Sequence, residues 1–103
     1  MVKASFSGRG EALNGFRVCG HSGYADAGED IVCAAVSAMT MYTANLLTDG
    51  FGIPCDLTVD EDSVTIALSL KSPSETGSKI IASFKKELVA LAAEYPQNIL
   101  VKE

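Results

Sequence analysis

Short hydrophobic runs separated by polar, glycine-containing segments open the chain. Residues 2–7 and 15–20 have the composition of two β-strands, and the polar residues 8–11 between them are typical of a hairpin turn. The next segment, residues 20–29, holds three glycines among Ser, Asp and Ala, a composition that favours no regular element. The sequence therefore predicts a hairpin followed by a flexible loop.

An almost uniformly apolar helix is predicted next, from Asp30 to about Leu47. Asp30 can cap this helix, because its side-chain oxygen can accept a hydrogen bond from an amide of the first turn, at Val32 or Cys33. Apolar residues surround the helix instead of forming one face, which indicates burial on more than one side and leaves room for a dimer surface. The glycines of residues 48–52 end the helix.

Two further strands are predicted in the second half of the chain. Residues 57–59 and 64–70 are β-branched runs, and the polar residues 60–63 between them form the turn. Apolar and small or polar residues alternate in the second run, so one face of that strand is expected to be buried.

The second helix has its start signals at residues 72–75: a capping Ser, Pro at the first helical position, and Glu three residues after the cap. It begins there or one turn later. Apolar residues recur at helical spacing up to Pro96, which ends an amphipathic helix that covers the sheet. Residues 99–101 are apolar enough for a closing strand.

The resulting order, ββαββαβ, predicts an α+β fold in which two helices pack on a mixed β-sheet of about five strands. A chain of 103 residues suits one domain, residues 1–103, because two cores would not fit in that length. The order of the strands within the sheet stays open.

The charge of the chain limits its partners. A formal net charge of −5 and a pI near 4.7 argue against a nucleic-acid surface, because phosphate binding needs clustered Lys and Arg. An acidic surface instead suits a basic partner, since long-range attraction raises the encounter rate. We expect no direct nucleic-acid partner.

Composition also bears on the compartment. The first six residues lack the charged start and long apolar stretch of a signal peptide, and nowhere do 18 apolar residues run together. Three cysteines, Cys19, Cys33 and Cys55, cannot all pair within one chain, which points to reduced thiols. We therefore expect a cytoplasmic protein without a membrane partner.

Candidate chemistry centres on Cys33 and on His21, the single histidine of the chain. In the first turn of the predicted helix, Cys33 would lie among unpaired amides, which favour a thiolate and can stabilise a developing oxyanion. A neighbouring imidazole would accept the thiol proton and later protonate a leaving amine, giving an acyl-transfer dyad. The alternative is that Cys33 is a small buried hydrophobe and His21 a surface residue at a strand end. Spacing alone leaves both interpretations open.

Cys19 offers two further interpretations, because it lies two residues before His21 on the same strand face. It could be a rival nucleophile, or it could join His21 and Cys33 as a metal ligand. A structural zinc site usually has four ligands, and the fourth would have to be a loop aspartate or distant Cys55. We therefore expect no metal and no cofactor.

A family resemblance changes this balance. Residues 20–37 read GHSGYADAGEDIVCAAVS and closely resemble the signature of the ribosomal-processing cysteine protease family, often called Prp. The remainder agrees with the family in length, in its strand-like start and in its second helix. The resemblance implies that the catalytic residues are His21 and Cys33, and that further signature positions are Gly20, Asp30 and Ser37.

The resemblance also implies a function. Members of the family remove a short N-terminal extension from bacterial large-subunit ribosomal protein twenty-seven, a step needed for ribosome assembly. Ribosomal proteins are basic, which suits an acidic chain. The family is also homodimeric, and its loop between the catalytic residues moves when substrate binds. The alternative is a non-catalytic, ribosome-associated binding module with the same fold.

Three residues near the implied pair keep two interpretations each. Asp30 orients His21, or it only caps the helix. Ser37 lies one turn after Cys33, where its hydroxyl bonds either the thiol or a helix carbonyl. Tyr24 closes over an apolar part of the substrate, or it is an ordinary exposed aromatic residue.

Overall fold

A five-stranded mixed sheet forms one layer of the computed structural model, which describes residues 1–20 and 27–102, and of residues 27–30 the backbone alone. The strands in chain order are β1 Val2–Arg9, β2 Ala12–Cys19, β3 Cys55–Asp60, β4 Thr65–Leu70 and β5 Ile99–Lys102. Their order in the sheet is β3-β4-β2-β1-β5, with β1 and β5 parallel and the other neighbours antiparallel. Together with two helices, these strands confirm the predicted α+β fold and its ββαββαβ order.

The first hairpin is longer than predicted, because β2 begins at Ala12 instead of at Gly15. A β-bulge between Ser7 and Gly8 shifts the register and lets the pairing continue to a tight turn. Gly8 adopts φ +108° there, and an added Cβ would collide with the Ala12 carbonyl. Only glycine fits this bulge without strain.

The first helix, α1, spans Ala27–Asn45 and continues as a π-helical turn through Leu46–Gly50. It begins three residues before the predicted start, so Asp30 is its fourth residue and the prediction that Asp30 caps the helix is wrong. Carboxylates are favourable throughout the first turn, because the positive end of the helix dipole lies there. Asp30 therefore fits inside the first turn as well as before it.

By length and composition, the segment Ile31–Gly50 could cross a membrane. One such helix is weak evidence, since the core helix of a folded domain has the same properties. Val32, Val36, Ala44 and Leu47 of this segment are buried in a cluster that also contains the sheet. We therefore interpret α1 as a core helix.

The second helix, α2, spans Glu75–Glu94. Its cap is Ser74, whose hydroxyl accepts a hydrogen bond from the Gly77 amide at 2.9 Å. The cap therefore lies two residues after the predicted Ser72. Because the third helical position is Gly77, the predicted capping box with Glu75 does not form.

The core lies between one face of the sheet and the two helices. Three rings meet at its centre, where Phe84 of α2 lies 5.0 Å from Phe16 and 5.8 Å from Phe6, both in edge-to-face geometry. The Ser78 hydroxyl donates to the Leu13 carbonyl at 2.6 Å, which ties α2 to β2. Helix α2 is thus held against the sheet by both apolar packing and a side-chain hydrogen bond.

Candidate active site

Cys33 lies in the second turn of α1, where it is half-buried and lines a cleft of about 170 Å³. One wall of the cleft is α1, which also contributes Val36 and Ser37. The opposite wall consists of residues from β1, β2 and β4, and the turn between β3 and β4 forms the rim. Ser37 thus shares the cleft with Cys33, as one helical turn of spacing predicts.

The position of Cys33 within α1 corrects one part of the chemical prediction. Only the first four amides of an α-helix lack a partner within the helix. Cys33 is the seventh residue of a helix that begins at Ala27, so its own amide lies beyond this group. The prediction that Cys33 lies among unpaired first-turn amides is therefore wrong.

Gly20 lines the same cleft as Cys33, at the point where the chain leaves β2. Its amide donates to the Val64 carbonyl at 3.2 Å, and its φ is +97°. An added Cβ would collide with the carbonyl oxygen of Met1. Both the conformation and the close approach of Met1 require glycine, which gives a physical reason for this signature position.

Two residues of the predicted site lie outside the part of the chain that the structure describes. These are His21 and Tyr24, together with the loop predicted around them. For Asp30 the helical backbone is described and the side chain is not. The proposed contacts of His21 with Cys33 and with Asp30 therefore stay predictions.

The rim of the cleft was missed by the sequence analysis, which assigned residues 60–63 only as a turn. Val59, Asp60, Glu61 and Val64 all line the cleft. Val64 adopts φ +50°, which is unusual for a β-branched residue, and lies in the turn instead of in β4. Nothing in the local sequence signals this, because a valine before an alternating run indicates a strand.

Most polar side chains inside the cleft are already hydrogen-bonded. The Thr40 hydroxyl donates to the Val36 carbonyl at 2.6 Å. Thr65 donates to the Ser63 carbonyl at 3.3 Å and accepts from the Ser63 hydroxyl at 2.9 Å. The remaining wall is largely Val and Ile, so the thiol lies in an apolar setting with carboxylates at the rim.

Asp60 is a fixed negative charge at this rim. Its carboxylate accepts hydrogen bonds from the amides of Asp62 at 3.0 Å and Ser63 at 3.3 Å. Hydrogen bonds from Ser63, reinforced by the one from Asp62, lower the pKa of Asp60 from its ordinary value. Asp60 is therefore ionised at neutral pH.

The other two cysteines differ from Cys33 in their surroundings. All three are thiols and none forms a disulfide. Cys19 follows Val18, which lines the cleft, and alternation along β2 directs Cys19 to the opposite face of the sheet. Burial raises the pKa of the Cys55 thiol, which lies 3.3 Å from the Ile53 carbonyl. Neither shares the cleft.

Metal binding has no candidate among the described side chains, where no group of three or more His, Cys, Asp or Glu residues is arranged so that it could hold a metal ion. The hypothetical cluster of Cys19, His21 and Cys33 includes a residue outside the described part of the chain. Within that part, the reactive chemistry at the cleft is that of a thiol.

Known proteins resemble this chain over nearly its whole length. A family model described as "Cysteine protease Prp" matches residues 1–100. The structure resembles SMU.848 from Streptococcus mutans, with 29% identity, a TM-score of 0.87 and coverage of 99% of this chain and 92% of that chain. No curated protein sequence matches significantly.

Two further similar structures are of the essential ribosomal processing protease Prp from Staphylococcus aureus. The complex with a substrate peptide is 20% identical with a TM-score of 0.87, and the complex with a covalently linked product peptide is 21% identical with a TM-score of 0.85. Each alignment covers 99% of this chain and 98% of that chain. At these identities the two matches establish a shared fold.

Proposed function

Since this chain belongs to the cysteine protease Prp family, we propose that Cys33 is its nucleophile and that His21 is its general base. The two residues would form a dyad that hydrolyses a peptide bond. Gly20, Asp30 and Ser37 are the other signature positions of the proposed site.

The observation that carries this assignment is that Gly20 and Cys33 line one cleft. His21 is the next residue in the sequence after Gly20, and consecutive Cα atoms are about 3.8 Å apart. The amide of Gly20 donates a hydrogen bond to the Val64 carbonyl, and Gly20 lies so close to Met1 that no side chain would fit at this position. Chain connectivity therefore supports a histidine near the thiol.

The proposed reaction has two stages. His21 accepts the proton of the Cys33 thiol, and the thiolate sulfur attacks the carbonyl carbon of the scissile peptide bond. The imidazolium then protonates the leaving amine, which departs and leaves a thioester on Cys33. In the second stage His21 takes a proton from water, and the hydroxide attacks the carbonyl carbon of the thioester. The C–S bond then breaks, the carboxylic acid product leaves, and the imidazolium returns its proton to the Cys33 thiolate.

The proposed substrate is the short N-terminal extension of bacterial large-subunit ribosomal protein twenty-seven. The similar S. aureus enzyme is a ribosomal processing protease crystallised with a substrate peptide, which supports this choice. The net charge of −5 and the carboxylates of Asp60 and Glu61 at the cleft also suit a basic ribosomal protein. The proposed site of action is the cytoplasm, where ribosomes assemble, without direct contact to nucleic acid.

A homodimer is part of the proposal. Ile31 and Tyr42 of α1 are 63% and 67% exposed, the highest values among the large apolar side chains that the structure describes, which supports a second copy against this helix. Tyr42→Glu should convert the dimer to a monomer in sedimentation equilibrium. Phe51→Glu, at an exposed aromatic residue beyond the helix, is the matched control and should leave the dimer intact.

Cleavage of a peptide tests the dyad. The peptide spans the N-terminal extension of the ribosomal protein from the same host, and mass spectrometry reports the products. Wild type and Cys19→Ala should cut it, whereas Cys33→Ala and His21→Ala should leave it intact. Cleavage by Cys33→Ala, or an intact peptide with all four proteins, would contradict the assignment; the second result would favour a non-catalytic binding module.

A further inference from the structure

Strand β3 forms one edge of the sheet and carries an apolar face that the helices do not cover. We propose that the outer edge of β3 binds the protein substrate as an additional β-strand and leads it to Cys33. The occupant is an extended, basic segment of the substrate that contains apolar residues and lies next to the scissile bond. This inference rests on the proposed function, since it assigns the place where that function's substrate binds.

Backbone groups at this edge are available for pairing. Bonded positions alternate along an antiparallel pair, and the residues between them direct their amide and carbonyl groups to the other side. The Lys71 amide donates to the Pro54 carbonyl at 3.1 Å, so within this register the even-numbered residues of β3 bond to β4. Leu57 and Val59 therefore direct their amide and carbonyl groups outward, where no described strand pairs with them.

The side chains of Leu57 and Val59 form an apolar surface on the helix side of the sheet. Leu57 is paired with Leu68, which is 3% exposed in the core, so both point to the same face. Yet Leu57 is 40% exposed and Val59 is 52% exposed. An extended peptide paired with β3 would set every second side chain beside these two residues.

This surface is continuous with the Cys33 cleft. Val59 belongs to both, and the residues that follow it, Asp60 and Glu61, line the cleft rim. A peptide paired with Leu57 and Val59 therefore reaches the cleft at one end of the paired stretch. Pairing with an exposed edge is a common way for proteins to bind extended peptides, because it orders the main chain whatever its sequence.

Charge determines which peptide fits. Asp56 at one end of β3 and Asp60, Glu61 and Asp62 at the other give this region four carboxylates. Lys71 Nζ lies 3.9 Å from the Asp56 carboxylate in an exposed pair. Glu61 at the cleft rim is thus suited to a Lys or Arg of the substrate, and an acidic peptide would be repelled.

The test measures binding instead of cleavage, so that its failure is distinct from failure of the dyad. The probe is a fluorescent peptide spanning the N-terminal extension of the host's ribosomal protein twenty-seven, and the protein is the full chain with Cys33→Ala. Adding Leu57→Pro removes an outward amide that makes no bond within the sheet, and should raise Kd about tenfold. Leu57→Ala keeps the amide and should raise Kd about threefold through lost apolar contact.

The control variant is Val101→Pro. The Val2 amide bonds to the Asn98 carbonyl in the parallel pair of β1 and β5, so the Val101 amide faces the opposite edge of the sheet. This variant should leave Kd unchanged. Thermal unfolding of every variant shows which of them are folded.

A second measurement does not depend on how the variants fold. N-methylation is moved along the probe peptide one residue at a time, and Kd for the Cys33→Ala protein is measured at each step. Pairing with β3 predicts that Kd rises at alternate residues of the paired stretch, since only every second amide faces the strand. A Kd profile without this alternation, or equal Kd values for Leu57→Pro and Leu57→Ala, overturns the proposal.

Discussion

Gly20 determines the path of the backbone where the chain leaves β2 and lines the candidate active site. Its positive φ turns the chain out of β2, its amide bonds to Val64, and its missing side chain admits the carbonyl of Met1. Sequence analysis identified this position only through the family signature. The reason for it lies in a contact with Met1, the residue before β1, which no local pattern reveals.

Gly20→Ala should lower the free energy of unfolding by about 3 kcal/mol, because the new Cβ combines backbone strain with a collision. Gly10→Ala is the matched control: Gly10 also has a positive φ, +54°, but nothing lies within 4 Å of an added Cβ. It should cost only about 1 kcal/mol, the strain alone. Urea unfolding measures both, and equal losses would contradict the close approach described at Gly20.

Asp60 makes the turn at the cleft rim sensitive to acid. The pKa of Asp60 is lower in the folded protein than the value of about 3.8 that it has in the unfolded chain, so its contribution to stability is fully present above pH 3.8. That contribution disappears as the pH falls through the lower folded pKa. Asp60→Ala should therefore destabilise the protein at pH 7 and have little effect near pH 2, with Asp62→Ala as a control for loss of one turn charge. A destabilisation independent of pH would argue that the carboxylate's hydrogen bonds are not its cause.

Elements are largely predictable from the sequence, but their ends are not. All five strands and both helices follow from periodicity and β-branched composition, because these patterns report which faces are buried. The start of α1 was misplaced because Asp30 suits both a cap and a first turn. The start of α2 was misplaced because Ser72 and Ser74 have the same capping chemistry, and in the structure it is Ser74 that accepts the amide hydrogen bond.

The choice between these two serines can be measured. Ser74→Ala should lower the free energy of unfolding by about 1 kcal/mol, since the Gly77 amide loses its partner. Ser72→Ala should leave it unchanged within about 0.5 kcal/mol, as is usual for exposed positions. Chemical denaturation of both variants decides the matter, and a larger effect at Ser72 would restore the cap predicted from the sequence.

At the scale of the whole molecule, strand order and the cleft depend on non-local pairing. The sheet places β4 beside β2, so that Val64 meets Gly20 across 44 positions of sequence. No hydrophobic alternation or turn signal in the sequence predicts that β4 pairs with β2, which is why the sequence left the strand order open. The cleft exists only because α1 and the β3–β4 turn meet on either side of this pairing.

The acidic charge of the molecule predicts a salt-dependent reaction. Attraction between an acidic enzyme and a basic peptide is screened by ions, so kcat/KM should fall several-fold between about 0.02 and 0.5 M NaCl. Glu61→Gln should flatten this dependence, because Glu61 lines the cleft. Glu75→Gln, at the start of α2 near the opposite end of the sheet, should leave it unchanged. Identical salt profiles for all three proteins would exclude steering by Glu61.

The dyad of Cys33 and His21 is tested most directly by a chloromethyl ketone built on the N-terminal fragment of the substrate peptide. The thiolate displaces chloride and becomes alkylated, and peptide mass spectrometry locates the label. We predict a label on Cys33 alone among the three cysteines, and a labelling rate at least about 100-fold lower in His21→Ala, which lacks the base. Labelling of Cys19 or Cys55 instead, or an unchanged rate without His21, would contradict the account.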